Sequence, residues 1–347
     1  MFFASDNSGP VHPQIMAALG DANSGFQMAY GADTLMGEVR QSLRDLFEAP
    51  GAAVYLVATG TAANALALAT LANPWETVFC SPVAHIHEDE CNAPEFYTGG
   101  AKLTLVGQAD RMTPDALQAA IAAEETRGVH GPQRGPVSIT QVTERGTVHS
   151  LDELRALTAV AREFSLPVHM DGARFANAVA ARGCSPAELS WRAGVDVLCL
   201  GGTKMGLPLG EAVVFFDREL SAEFAWRCKQ AGQLASKMRY LAAPWLGVLE
   251  HDAWLRRAAH ANRMARRLAD GLTRLPGVAL HAPCEANGVF VNLPAVAANH
   301  LRAAGVHFYT FIGGAARFMC SWATSEEAVD RLLSLAAAAF ETRRKEQ

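Results

Sequence analysis

The sequence of 347 residues lacks an excess of positive charge and lacks paired cysteines. Its 30 Lys and Arg residues are outnumbered by 35 Asp and Glu residues, which gives a formal net charge of -5. This balance gives no reason to expect nucleic acid or an anionic membrane as a partner, so a small metabolite is the better expectation. The seven cysteines show no Cys-x-x-Cys spacing, so we expect free thiols in a reducing compartment and no disulfide framework.

The N-terminus also lacks the features of a secretory signal. Residues 1–6 contain no positively charged segment and no apolar run of useful length. We therefore expect a cytoplasmic protein.

One stretch, residues 51–75, contains no charged residue and is long enough to span a bilayer. However, a Thr-Gly-Thr turn at 59–61 interrupts it, and Asn73 and Pro74 close it. A buried strand, a tight turn and a buried helix explain this composition better than one spanning helix.

Apolar residues make up 50% of the chain, enough to bury a large core. Predicted strands alternate with predicted helices over roughly 200 residues, which favours an α/β fold with a mainly parallel sheet of about seven strands, covered on both faces. Two helices begin at capping-box sequences, Ser150 to Glu153 and Ser185 to Glu188. The predicted strands are 54–57, 77–80, 103–106, 137–142, 166–171, 195–200 and 212–216, and the predicted helices are 38–47, 61–71, 115–125, 151–164 and 185–194.

The pattern changes near Pro244, where a smaller α+β domain is predicted to begin. Its expected elements are helices at 254–275, 297–304 and after Thr324, and strands at 278–280, 289–293 and 317–322. The predicted units are an N-terminal arm at 1–35, a large domain at 36–245 and a small C-terminal domain at 246–347.

Three of the predicted strands end at residues that could bind a ligand, at the edge where open α/β sheets bind ligands. Gly60 and Thr61 lie between a strand and a helix, Asp171 ends a second strand shortly before Arg174, and Lys204 follows a third. Each has an ordinary explanation as a helix cap, an ion pair or a solvated lysine.

Together, the three strand ends match the needs of pyridoxal phosphate. A helix N-terminus at Gly60 and Thr61 can hold a phosphate. Asp171 can keep a ring nitrogen protonated, and Lys204 can form a Schiff base with the aldehyde. The two glycines before Lys204 are interpreted as leaving room for this cofactor.

The chain resembles the low-specificity L-threonine aldolases, which are pyridoxal phosphate enzymes with the aspartate-aminotransferase-like fold. The resemblance covers nearly the whole length and looks closest to a subgroup that includes phenylserine-cleaving enzymes. The motifs that carry it are Ser5 to Asn7, Ala29 to Asp33, Gly60 to Asn64, Ala84-His85, His169 to Arg174, Thr203-Lys204, Lys229 to Gln233 and Ala316-Arg317.

The resemblance implies roles for individual residues. Lys204 would carry the cofactor, next to Thr203, and Asp171 would pair with its ring nitrogen. Gly60, Thr61 and a neighbouring subunit's Arg239 would bind the phosphate, and His85 would stack on the ring. The substrate carboxylate would be held by Ser5, Arg174 and Arg317, with Arg174 also near the cofactor. Tyr30 would line the site across the subunit interface.

The chain departs from the family pattern at two positions. Ala32 follows Tyr30-Gly31 where many members have aspartate. The histidine that many members place near the substrate hydroxyl is replaced, most simply by Glu144, in the run 143–146. Glu144 is therefore the candidate base, and the preference between threo and erythro substrates stays open.

The expected reaction is retro-aldol cleavage of L-threonine, L-allo-threonine or phenylserine-like amino acids to glycine and an aldehyde. The expected assembly is a homotetramer or homodimer with shared active sites. A β-eliminating lyase or a racemase on the same scaffold is the alternative enzyme, and a non-catalytic cofactor-binding protein is the alternative class. A nicotinamide-dependent dehydrogenase lacks support because no Gly-x-Gly-x-x-Gly follows the first strand.

The stretch from His85 to Cys91 is dense in residue types that bind metals. Its spacing matches no closed zinc pattern. We therefore expect no metal here and interpret the acids at 88–90 as solvated.

Overall fold

The computed structural model describes residues 1–310 and 314–346. The strands of its main sheet are β1 (Ala53–Val57), β2 (Glu76–Cys80), β3 (Lys102–Leu105), β4 (Gln133–Thr140), β5 (Val168–Gly172), β6 (Val197–Leu200) and β7 (Glu211–Phe215). They lie in the order β1-β7-β6-β5-β4-β2-β3. All neighbouring strands are parallel except β7, which runs antiparallel to β1 and β6. The mainly parallel α/β sheet is therefore confirmed.

The described residues form thirteen α-helices, which surround this sheet and a smaller four-stranded sheet in the C-terminal part. Every residue of β5, β6 and β7 is buried, as expected for strands covered by helices on both faces. The helices are α1 (Pro13–Ala22), α2 (Thr34–Leu46), α3 (Gly60–Leu71), α4 (His85–Glu88), α5 (Ala93–Tyr97), α6 (Pro114–Ala123), α7 (Leu151–Glu163), α8 (Phe175–Arg182), α9 (Phe224–Gln230), α10 (Arg239–Leu249), α11 (Ala253–Leu272), α12 (Ala295–Ala303) and α13 (Glu326–Glu346).

The apolar stretch at 51–75 forms β1, a turn and α3, as its composition predicts. Both elements lie in the interior, and α3 is buried over seven consecutive residues. No helix in the described part of the chain combines the length and the apolar character that crossing a bilayer requires.

The helix predicted at 185–194 is wrong, although its capping box forms. Ser185 N–H donates to the Glu188 carboxylate at 2.8 Å, and Glu188 N–H donates to the Ser185 hydroxyl at 3.2 Å. Ser190 then leaves the helical conformation, with φ of -126° and ψ of -108°, and its N–H donates to the Ala187 carbonyl at 3.3 Å rather than to the Pro186 carbonyl that a continuing α-helix needs. The chain makes turns and one 3-10 turn, Trp191–Ala193, instead.

The C-terminal part carries a second sheet, made of β8 (Ala279–Leu280), β9 (Gly288–Asn292), β10 (Tyr309–Thr310) and β11 (Ala316–Met319). It is antiparallel, with the order β10-β11-β9-β8. Its core is shared with the start of the chain, because the buried Phe3 packs in the same cluster as Val289 and Phe318. Phe3 N–H also donates to the His307 carbonyl at 2.9 Å.

The predicted unit boundaries fall inside helices. The boundary after residue 35 lies in α2, and the one after residue 245 lies in α10, where the buried Pro244 is an interior residue. The three-unit division stays a prediction.

Candidate active site

A cavity of about 290 Å³ lies at the carboxyl ends of β1, β5 and β6. It brings together the three strand ends that the sequence pattern selects, because parallel strands end at the same edge of a sheet. Residues of its wall include Gly60, Thr61, Asn64, His85, Glu90, Asp171, Thr203, Lys204 and Glu211.

The amino end of α3 forms one wall of the cavity. Thr59 is the N-cap residue, and its hydroxyl accepts the N–H of Ala62 at 3.2 Å. Gly60 and Thr61 are the first residues of the helix, where N–H groups have no acceptor within the helix. A methyl group added to Gly60 would meet no atom within 4 Å, so this end faces open space. It is suited to an anion such as phosphate.

Asp171 lies in β5 and is buried. Asn64 donates its amide to one carboxylate oxygen at 2.9 Å, and the Ala173 N–H donates to the other at 3.0 Å. Burial by itself raises the pKa of Asp171, but the charges of His85 and Lys204 and the Ala173 N–H together hold it below the usual range. The result is an ionised carboxylate in a buried place, which can hold a cationic ring nitrogen.

Lys204 lies on the 3-10 turn Thr203–Met205 that follows β6. Of the two glycines before it, Gly201 lines the cavity, and both also lie against neighbouring backbone, a packing reason that the sequence interpretation does not include. A methyl group at Gly201 would lie 2.3 Å from the Ala173 carbonyl, and one at Gly202 would lie 2.2 Å from the Gly210 carbonyl. These glycines are needed because neighbouring backbone fills the space.

Glu211, the first residue of β7, anchors the turn that carries the lysine. Its carboxylate accepts the Gly202 N–H and, at 2.8 Å, the hydroxyl of Thr203. Burial raises the pKa of Glu211 to about 7, although these hydrogen bonds and the charge of Lys204 oppose the rise. Sequence analysis missed this residue, because its only signal is an acid at the start of an otherwise apolar strand.

Two further polar residues of the wall were also missed. The sequence motifs give Asn64 no role, and they predict a solvated Glu90. Glu90 is in fact 3% exposed and accepts hydrogen bonds from both Asn64 and His85. The interpretation of Glu90 as a solvated acid is wrong, because the turn after α4 folds it inward.

Arg174 is buried, and part of its guanidinium group is already engaged. Its Nε and Nη2 atoms donate to Asp6 at 2.8 and 3.0 Å. Nearby, the Ser5 hydroxyl donates to Asn7 at 2.6 Å, and Arg317 donates to the Ala4 carbonyl at 3.2 Å. The candidate carboxylate-binding residues therefore gather around the N-terminal arm.

Glu144 and Arg317 line a second cavity, of about 560 Å³. Tyr309 and Phe290 form apolar parts of its wall. Glu144 is half-buried, and its charge acts on Arg174, Arg317 and His85. The candidate base therefore lies on the side of the site where His85 and Arg174 are found.

Tyr30 and Arg239 line neither of these cavities. Tyr30 is half-exposed, and the Lys229 ammonium lies 4.6 Å from the centre of its ring. Arg239 donates to the carbonyls of Ser24 and Gly25 at 3.2 and 3.0 Å. Within one chain, the structure does not bring these two residues to Lys204.

Comparison with known proteins identifies the family. The β-eliminating lyase family model matches residues 3–295. A low-specificity L-threonine aldolase from Pseudomonas aeruginosa is 53% identical over 332 residues, covering 95% of each chain. The structure of a Leishmania major threonine aldolase superposes with a TM-score of 0.91 at 26% identity, covering 97% of this chain and 98% of that one.

A more distant structure shows the same fold. It is a serine palmitoyltransferase variant from S. paucimobilis with a bound pyridoxal phosphate adduct, which matches with a TM-score of 0.71 at 20% identity and covers 99% of this chain and 88% of that one. The fold is thus one that binds pyridoxal phosphate in other enzymes. The chain belongs to the β-eliminating lyase family and, within it, to the low-specificity L-threonine aldolases.

Proposed function

We propose that this protein is a pyridoxal phosphate-dependent carbon-carbon lyase. It cleaves β-hydroxy-α-amino acids such as L-threonine, L-allo-threonine or phenylserine-like compounds to glycine and an aldehyde. The observation that carries the proposal is the meeting of Lys204, Asp171 and the amino end of α3 on one cavity. Family membership narrows the reaction from the many that this fold supports.

The residues of the first cavity fit pyridoxal phosphate. Gly60 and Thr61 offer backbone donors to a phosphate, the ionised Asp171 suits a protonated ring nitrogen, and Lys204 offers an amine to an aldehyde. The volume of about 290 Å³ is close to the lower end of the range for ligand pockets. When bound, the cofactor supplies an electron sink for the carbanion that carbon-carbon cleavage leaves on the α-carbon.

The protein supplies charge and orientation around that chemistry. Asp171 keeps its negative charge because His85, Lys204 and the Ala173 N–H favour the ionised form. Glu211 holds the turn of Lys204 by accepting from the Gly202 N–H and the Thr203 hydroxyl. Such preorganised groups need no rearrangement as the reaction proceeds.

Arg174 and Arg317 are the proposed partners of the substrate carboxylate, with Ser5 beside them. Arg174 is oriented by Asp6, whose carboxylate accepts from its Nε and Nη2 atoms. A guanidinium group is well matched to a carboxylate, because its donors form a planar fork.

Cleavage also requires removal of the proton from the β-hydroxyl group. Glu144 is the proposed base, because it lines the second cavity beside Arg317 and is half-buried. That cavity, of about 560 Å³ with Phe290 and Tyr309 in its wall, is larger than a methyl group requires. The two aromatic side chains support phenylserine-like substrates alongside threonine, while Glu88, Asp89 and Arg145 make the rest of the wall polar.

We further propose that the protein acts in the cytoplasm as a homotetramer or homodimer in which Tyr30 and Arg239 complete a neighbour's site. Residues 23–30 are exposed throughout, and Phe26 and Met28 are among them. A run of exposed apolar side chains beside polar ones is typical of an interaction surface.

Free cysteines in the described chain agree with a reducing compartment, as the proposed cytoplasmic location requires.

Parallel product analysis tests the proposed reaction. The purified protein with pyridoxal phosphate is incubated with L-threonine, L-allo-threonine and L-phenylserine, and glycine, aldehyde, ammonia, keto acid and D-amino acid are measured. We expect equal amounts of glycine and aldehyde. Ammonia with a keto acid would indicate β-elimination, a D-amino acid would indicate racemisation, and no product would indicate a non-catalytic protein.

A further inference from the structure

We propose that Glu90 is a positioning residue, which fixes the ring of His85 at the candidate active site and links it to Asp171 through Asn64. The proposal rests on the proposed function in one respect, that His85 lies against the cofactor. Nothing in the sequence motifs or the family match gives Glu90 a role.

The four side chains form a continuous chain of hydrogen bonds. Nδ1 of His85 donates to Oε1 of Glu90 at 2.9 Å. Asn64 Nδ2 donates to the same Glu90 oxygen at 2.9 Å and to Oδ2 of Asp171 at 2.9 Å. The ring that faces the cavity is thereby connected to the carboxylate proposed to bind the cofactor nitrogen.

Three of the four side chains in this network are buried. Glu90, Asn64 and Asp171 are 3%, 3% and 4% exposed, whereas the His85 side chain is 34% exposed. A hydrogen bond in such a low-dielectric place is electrostatically stronger than one in water. The network therefore fixes the imidazole from its buried side and leaves its other edge toward the cavity.

The local backbone is shaped to bury Glu90. Helix α4 spans only His85–Glu88, and Cys91 and Asn92 adopt left-handed conformations, with φ of 49° and 59°. A non-glycine residue with positive φ is uncommon, and two in succession turn the chain sharply. This turn places the carboxylate of Glu90 at the Nδ1 edge of the His85 ring.

Burying the carboxyl group of Glu90 costs free energy, because its charged form loses its hydration. Burial raises the pKa of Glu90, and the hydrogen bonds from His85 and Asn64 oppose the rise. The remaining oxygen of Glu90 has no hydrogen-bond partner among the described residues. An apolar residue would avoid this cost. The carboxylate is explained if the site requires a fixed tautomer and a raised basicity of His85.

The charges around His85 act in the same direction as Glu90. The hydrogen bond that His85 donates to Glu90 raises the pKa of His85, burial opposes the rise, and the negative charges of Asp171 and Glu144 add to it. A carboxylate that accepts from Nδ1 also keeps the proton on that nitrogen. Glu90 thus sets both the tautomer and the charge of the ring.

Nitrogen NMR of ¹⁵N-histidine-labelled protein, carrying its cofactor, tests the proposal. The His85 signals are assigned by their loss in His85→Asn and are followed against pH in the wild type, Glu90→Gln and Glu90→Ala. The control is Glu163→Gln, which changes an exposed carboxylate on α7. Circular dichroism checks that each variant folds.

We expect a protonated Nδ1 in the wild type and a His85 titration at lower pH in Glu90→Gln, with the control unchanged. The kcat for glycine release should fall on the order of 10-fold to 100-fold, the range found for carboxylates that orient metal-binding histidines. An unprotonated Nδ1 in the wild type would overturn the proposal even if no variant folds. An unchanged His85 titration in folded Glu90→Gln would also overturn it. The NMR result requires no turnover, so it is independent of whether the proposed reaction occurs.

Discussion

Asp6 and Arg174, which are 168 positions apart in the sequence, form a buried two-pronged ion pair. The Nε and Nη2 atoms of the arginine donate to the two carboxylate oxygens at 2.8 and 3.0 Å. Asn287, next to β9, donates to the same carboxylate at 2.9 Å. One carboxylate therefore joins the N-terminal arm, the large sheet and the C-terminal part, and it orients an arginine of the candidate site.

Removal of the Asp6 charge should destabilise the fold strongly. Asp6→Ala leaves Arg174 buried without its partner, and such a loss costs about 3–5 kcal/mol. The measurement is the free energy of unfolding from urea denaturation. Arg267 and Asp330 provide a matched control, because they form the same two-pronged contact at 2.9 and 2.8 Å on the surface. Asp330→Ala should cost about 1 kcal/mol or less, and equal losses in the two variants would contradict the prediction.

Glu211 should make the cofactor-free protein less stable as the pH rises toward neutrality. Its pKa is raised from 4.5 to about 7 in the folded state, so the folded protein binds this proton more tightly than the unfolded chain does. Stability from this group is complete below pH 4.5 and is lost as the pH rises to about 7. The loss amounts to about 3 kcal/mol, from 1.36 kcal/mol for each pH unit.

The test compares unfolding free energies of wild type and Glu211→Gln at pH 5 and pH 8. The variant should lose less stability between the two values, because its amide does not titrate. The same loss in both proteins would show that Glu211 does not titrate in this range.

Loss of the Asp171 charge should impair catalysis far more than folding. Asp171→Asn keeps the size of the side chain but removes the charge proposed to stabilise the ring nitrogen. We expect the rate of glycine release to fall on the order of 10²-fold to 10³-fold, as for other preorganised electrostatic groups. Asp152→Asn, at a side chain that is 96% exposed, is the control and should retain full activity. Near-normal turnover in Asp171→Asn would remove this residue from the proposed site.

Glu144 should affect kcat and stereochemical preference more than substrate binding. Glu144→Gln removes the proposed base, so kcat should fall on the order of 10²-fold to 10⁴-fold with little change in KM. Glu144→His, which introduces the residue expected from many family members, should keep activity and change the ratio of rates on L-threonine and L-allo-threonine. An unchanged kcat in Glu144→Gln would assign the proton transfer to another group.

The central features of this site follow from local sequence patterns. Gly60, Asp171 and Lys204 follow or end apolar strands, and parallel strands bring such ends to one edge of a sheet. A prediction of this kind needs only the strand pattern and the direction of the strands.

The partners of these residues depend on contacts that no local pattern encodes. Glu90 is buried by two left-handed residues that follow it, and Glu211 meets Thr203 because β7 runs antiparallel to β6. The glycines before Lys204 are required by the carbonyls of Ala173, which follows β5, and Gly210, which precedes β7. The helix predicted after Ser185 is absent because Ser190 adopts a non-helical conformation, which the capping-box sequence does not reveal.

The site assignment depends most directly on which lysine holds the cofactor. Borohydride reduction in the presence of pyridoxal phosphate joins the cofactor permanently to that lysine, and peptide mass spectrometry then locates the label. We predict a label on Lys204, with visible cofactor absorbance lost in Lys204→Ala and retained in Lys237→Ala. A label on Lys237 or another lysine, with Lys204 unmodified, would contradict the assignment.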